Sequence, residues 1–63
     1  MQFFGLIVDS AEEAEAAVDR LWNQLRVRGE IQVRRLDGKF KIDVIAERDL
    51  SAAQLEKLPG KRT

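Results

Sequence analysis

Residues 30–47 read EIQVRRLDGKFKIDVIAE, and this stretch decides the fold. Asp37-Gly38 is a strong short-range signal for a two-residue hairpin loop, predicted here as a type I′ turn with positive φ at both residues. Counting outward places Leu36 opposite Lys39 and fixes the register of the two strands. One face of the hairpin is then apolar and is predicted to face the core. Its members are Ile31, Val33, Phe40, Ile42, Val44 and Ala46.

The opposite face of the hairpin is mostly polar and predicted to be solvated, with Ile45 as its apolar exception. Arg35 falls on the core face, opposite Phe40, and two interpretations stay open for it. Its aliphatic stem can cover Phe40 while the guanidinium reaches water. Alternatively, the guanidinium contacts an anion or carboxylate of a ligand or of a partner chain.

Upstream of the hairpin, the pattern predicts a helix. Ser10-x-x-Glu13 is a capping box at its start, and Gly29 is predicted as the glycine just past its end. Apolar residues recur between them at helical spacing, and Trp22 is predicted to pack at the border of the core. The stripe consists of Ala14, Val18, Leu21 and Leu25.

The segments at the two ends of the chain complete the pattern. Residues 1–9 predict a strand with apolar side chains on both faces. A second capping box, Ser51-x-x-Gln54, predicts a short helix that Pro59-Gly60 ends. Residues 58–63 are expected to be a loose tail.

The predicted fold is one small α+β domain over residues 1–63, with the order β-α-β-β-α. A right-handed crossover followed by the hairpin gives a split β-α-β unit. Its three-stranded sheet would have the order 1-3-2, with both helices on one face. This layout resembles a ferredoxin-like unit without its last strand.

Without a fourth strand, the first strand is an apolar edge that needs covering, either by the chain's own tail or by a second chain. We therefore predict a non-catalytic interaction module whose partner is itself, as a homodimer or a higher oligomer. The predicted interface is this edge together with the helix-free face of the sheet. Its residues are Phe3, Gly5, Ile7 and Ile45.

Residue inventory argues against an enzyme. The chain has no cysteine and no histidine, so it lacks thiolate chemistry, disulfides, the commonest zinc ligand and the usual base near neutral pH. Ser10 and Ser51 are both assigned to helix caps. We expect no catalytic residues, no metal site and no cofactor.

Two other functions stay open. Arg34, Lys39 and Lys41, with Phe3 nearby, form a candidate polyanion contact for weak nucleic-acid binding. The formal net charge of +0 disfavours strong attraction to phosphates. The other alternative is a regulatory module that binds a small molecule at a dimer interface, an argument from fold analogy alone.

The apolar run from Phe3 to Val8 is far too short to span a membrane and lacks the features of a signal peptide. We therefore expect no membrane association and a cytoplasmic location.

Overall fold

The computed structural model describes every residue from Met1 to Thr63. The predicted α+β class is confirmed, with an antiparallel sheet and two α-helices. In chain order the elements are β1 (Gln2–Val8), α1 (Ala11–Asp19), a π-helical turn (Arg20–Gln24), β2 (Gly29–Leu36), β3 (Lys39–Ala46), α2 (Ala52–Glu56) and β4 (Lys61–Arg62). None of the helices is long and apolar enough to cross a membrane.

The sheet has four strands in the order β2-β3-β1-β4, where the sequence pattern predicts three. The difference lies in the tail, which is expected to be loose but pairs antiparallel with β1. Ile7 lies opposite Lys61, and Leu6 lies opposite Arg62. Gly60 makes this return possible, because it takes a φ of +78° and a β-carbon there would overlap the carbonyl oxygen of Ile7.

The start of α1 follows the prediction in one half of its capping box. Ser10 has extended backbone, and its Oγ accepts a hydrogen bond from the Glu13 N–H at 3.1 Å. The reciprocal half differs, because Glu13 Oε2 accepts from the N–H of Asp9 at 3.4 Å rather than from that of Ser10. The carboxylate therefore satisfies the amide one residue before the cap.

The helix ends earlier than predicted, and Gly29 is not its terminal glycine. Regular α-helix stops at Asp19, and the wider π-helical turn follows. Leu25 N–H donates to the carbonyl of Arg20 at 2.9 Å, and Arg26 then takes the left-handed φ of 52°. Gly29 instead opens β2, with a φ of +141° and no room for a β-carbon beside the Ile45 carbonyl.

The hairpin has the predicted register, with Leu36 opposite Lys39. The predicted turn type is wrong. Gly38 has a φ of +69°, but Asp37 is not among the residues with positive φ. Positive φ at the second central residue alone is the pattern of a type II turn, which spares Asp37 the strained left-handed region.

The second capping box is complete, as predicted. Ser51 Oγ accepts from the Gln54 N–H, and Gln54 Oε1 accepts from the Ser51 N–H. The Arg20 guanidinium also donates to the carbonyl of Lys57. This bond ties the π-helical turn to the end of α2.

The core lies where α1, the π-helical turn and the segment after α2 meet the apolar side of β1 and β3. Ile42 and Leu21 are completely buried there, and Leu58 joins the same cluster. Burying each large aliphatic side chain stabilises the fold by about 1.5–3 kcal/mol. In contrast, every β2 residue except the half-buried Ile31 is exposed. The helix side of the sheet is therefore covered over β1 and β3 and open over β2.

Candidate interaction surface

The helix-free face of the sheet exposes apolar side chains next to each other. Phe3 lies directly opposite Ile45 in the β1–β3 pair, so both project from the same face. The exposed fraction is 72% for Phe3 and 38% for Ile45. Met1, 77% exposed, precedes them in the chain. We call Phe3 and Ile45, with Met1, the face patch.

The other two predicted interface residues lie where the tail covers the edge of β1. Gly5 and Thr63 exchange two backbone hydrogen bonds, of 3.3 and 2.8 Å. Gly5 is buried, and a β-carbon there would come within 2.7 Å of Thr63 Oγ1 and 3.2 Å of Lys41 Cε. Ile7 is half-buried beside Lys61. Of the four predicted interface residues, Phe3 and Ile45 therefore lie in the face patch, and the edge of β1 is bare only before Gly5.

Each predicted polyanion-binding side chain has an acidic neighbour in its own chain. Arg34 lies 2.9 Å from a carboxylate oxygen of Asp43, and Lys41 lies 3.7 Å from the other. Lys39 lies 3.7 Å from Asp9. A phosphate would have to compete with these carboxylates, which lowers the attraction this face offers to a polyanion.

Arg35 stands apart from those three cations. It lies opposite Phe40, as predicted, and therefore on the helix side of the sheet. Its side chain is exposed and makes no ion pair.

A second open surface, missed by sequence reasoning, lies on the helix side. It is a groove of about 550 Å³ between α1 and the β2–β3 hairpin. Trp22, 43% exposed, and Val33, 48% exposed, line it together with Phe40. The hairpin pattern marks Val33 as a core residue, but α1 contacts β1 and β3 and leaves the outer strand uncovered.

The outer edge of β2 carries unpaired backbone groups. Glu47 N–H donates to the Arg28 carbonyl at 2.7 Å. The backbone N–H and C=O groups of the even-numbered β2 residues therefore point toward β3. The odd-numbered residues Ile31, Val33 and Arg35 therefore direct their N–H and C=O groups outward. No strand lies beside them, because β2 is at the end of the sheet. We call this row the β2 edge.

The remaining chemistry is sparse. The Ser10 and Ser51 hydroxyls both accept backbone hydrogen bonds as helix caps. No group of three or more acidic residues is placed to hold a metal ion. A second cavity, of about 540 Å³, is lined by side chains of both charges, among them Arg28, Arg48 and Glu47.

In comparisons with known proteins, no family model, no curated protein and no solved structure matches this chain.

Proposed function

We propose that this chain is a non-catalytic interaction module that associates with further copies of itself. The observation that carries the proposal is the face patch, in which Phe3 stays 72% exposed beside Ile45. Burying a Phe side chain gains about 1.5–3 kcal/mol, and none of the chain's own segments supplies that contact. Stacking two such sheet faces would bury both patches at once.

Chain length supports the same proposal. A chain of 63 residues buries little apolar area relative to the entropy lost on folding, and small domains commonly add disulfides, metals or a second copy. Association with a second copy would bury further apolar area, including the exposed ring of Phe3.

We further propose that the fold is a ferredoxin-like unit whose fourth strand is reduced to β4. The complete unit has a fourth strand beside the first, and β4 occupies that position next to β1. In such a unit the short tail strand covers the β1 edge from Gly5 to Ile7. The face patch stays open to a partner.

The test is the mass of the protein in solution with Phe3→Ser. We expect the substitution to lower the average mass, because a hydroxyl in place of the ring removes the apolar area of the contact. Leu36→Ser is the matched control, because Leu36 is also exposed, by 41%, on the same face. It is far from the face patch: it lies six strand residues, about 20 Å, from Glu30, the β2 residue opposite Ile45. An unchanged mass for Phe3→Ser, or an equal loss in the control, would contradict the role of the face patch.

The same purified protein can be used to test the two alternative functions. Native mass spectrometry would reveal a retained small molecule as extra mass on the oligomer. An anisotropy titration with single-stranded RNA or DNA at low salt would reveal polyanion binding, and we expect none because of the ion pairs of Arg34, Lys41 and Lys39.

A further inference from the structure

We propose that the β2 edges of two copies of this chain pair antiparallel, with Gln32 of one copy opposite Gln32 of the other. This inference rests on the proposed self-association but places a contact at a different surface from the face patch. The occupant of the edge is a second copy because the strand is complementary to itself.

The backbone geometry limits the possible registers. In an antiparallel pair, residues with outward-directed N–H and C=O groups must lie opposite each other. For β2 these are the odd-numbered residues, so only every second register can form its hydrogen bonds. In a symmetric pair, the two-fold axis then passes between one residue and the same residue of the partner. The residues of β2 that could lie at this axis are Ile31, Gln32, Val33 and Arg34.

Charge selects among these registers. With Gln32 on the axis, Glu30 lies opposite the partner's Arg34, and symmetry makes this pair twice. Opposite charges across a strand pair stabilise it, whereas like charges destabilise it. Glu30 makes no ion pair within its own chain. Arg34 already lies 2.9 Å from Asp43, but its side chain is exposed, so its guanidinium can also donate to the partner's Glu30.

The neighbouring registers are worse. An axis at Val33 brings no opposite charges together, and an axis at Arg34 places that cation against its own copy. An axis at Ile31 sets Arg34 against the partner's Arg28. Only the Gln32 register therefore combines backbone pairing with charge complementarity.

Apolar contacts agree with the same register. On the helix side, Ile31 would lie opposite the partner's Val33, again twice. Val33 is 48% exposed in the single chain, and Trp22 stands beside it in the groove. Pairing would cover the apolar side chains that α1 leaves open.

The product would be a continuous eight-stranded sheet, with the four strands of each copy in mirrored order. Its helix-free side would carry both face patches. The edge contact and the face contact would therefore be compatible in one assembly, a dimer of dimers.

Mixing two charge variants tests the pairing. Alone, Glu30→Arg places cations against Arg34, and Arg34→Glu places anions against Glu30. We expect each variant to associate about tenfold or more weakly than the natural chain. An equimolar mixture restores opposite charges at both positions of a heterodimer, and its affinity should return to within about threefold of the natural value. A structural role of either residue would not produce this rescue.

A cross-link tests the register. The chain has no cysteine, so Gln32→Cys introduces a single thiol. Directly opposed residues of a non-hydrogen-bonded pair have Cα atoms about 4.5 Å apart, within the range of a disulfide. Under mild oxidation we expect a covalent dimer. Leu36→Cys is the control, because its two copies would lie eight residues apart along the strands, about 27 Å.

The outcomes separate this inference from the proposed function. If the natural chain has the mass of one copy at every concentration, both fail. If it associates and Phe3→Ser dissociates it fully, while the charge mixture shows no rescue and Gln32→Cys does not cross-link, only the edge pairing is rejected. Rescue and cross-linking together support the β2 pairing.

Discussion

The two edges of the sheet are treated in opposite ways. The β1 edge belongs to an apolar strand, and three residues of the tail, Lys61 to Thr63, cover it from Gly5 to Ile7. Strand β2 has eight residues and no neighbouring strand on its outer side, and it carries the charged residues Glu30, Arg34 and Arg35. An apolar edge left bare promotes indiscriminate pairing, whereas charges on an edge restrict it to complementary partners. The chain therefore covers its apolar edge with its own tail and leaves its charged edge exposed.

A substitution at Gly29, the first residue of β2, should have the largest effect on stability. Gly29→Ala forces a β-carbon against the Ile45 carbonyl at a φ of +141°. We expect a loss of about 2–4 kcal/mol in the free energy of unfolding, most of the stability of a domain this size. Chemical denaturation measures it. Gly38→Ala is the control, because nothing lies within 4 Å of its β-carbon, and it should cost only about 1–2 kcal/mol for the left-handed backbone.

Exposing the β1 edge should have the next largest effect. Removing residues 61–63 deletes both backbone hydrogen bonds to Gly5, worth about 0.5–1.5 kcal/mol each. We expect faster exchange of the Gly5 amide hydrogen and a rise in high-mass species, because the bare edge can now pair with other chains.

The control for this truncation keeps the backbone and changes the side chains. Lys61→Ala with Arg62→Ala should leave exchange at Gly5 unchanged. If the double substitution behaves like the truncation, the side chains rather than the backbone pairing protect this edge.

The salt dependence of self-association should be a smaller effect, and it should distinguish pairing at the β2 edge from contact at the face patch. Raising the salt from about 0.05 M to 0.5 M screens exposed charge pairs, so the affinity of the natural chain for itself should fall a few-fold. In the double variant Glu30→Gln with Arg34→Gln, this dependence should disappear. Sedimentation at the two salt concentrations measures both. A natural chain whose association strengthens with salt would point to apolar contacts alone.

The smallest expected change is optical. Trp22 is the only tryptophan, and it lines the groove beside Val33. Pairing of β2 edges should shield its ring from water, so its fluorescence emission should shift slightly to the blue as concentration rises. Glu30→Arg should show no such shift over the same range.

Some local signals in the sequence predicted local structure correctly, although the turn type at Asp37-Gly38 and the helix end at Gly29 were wrong. Asp37-Gly38 determined the hairpin register, and both serine caps lie where their motifs place them. These features depend on residues a few positions apart, which the sequence displays directly.

What the sequence did not reveal depends on contacts between distant segments. The pairing of Lys61 with Ile7 spans almost the whole chain, and two-residue strands carry no periodic signal. The open groove at Val33 likewise depends on how far α1 reaches across the sheet. The alternation that marks Val33 as apolar indicates which side it faces, but not whether anything covers it.

The central claim, that this chain associates with itself, is tested most directly by sedimentation of the natural protein over a dilution series from about 100 μM to 1 μM. We expect masses that are multiples of the 7.2 kDa chain and that fall on dilution. A mass of 7.2 kDa at every concentration would contradict it.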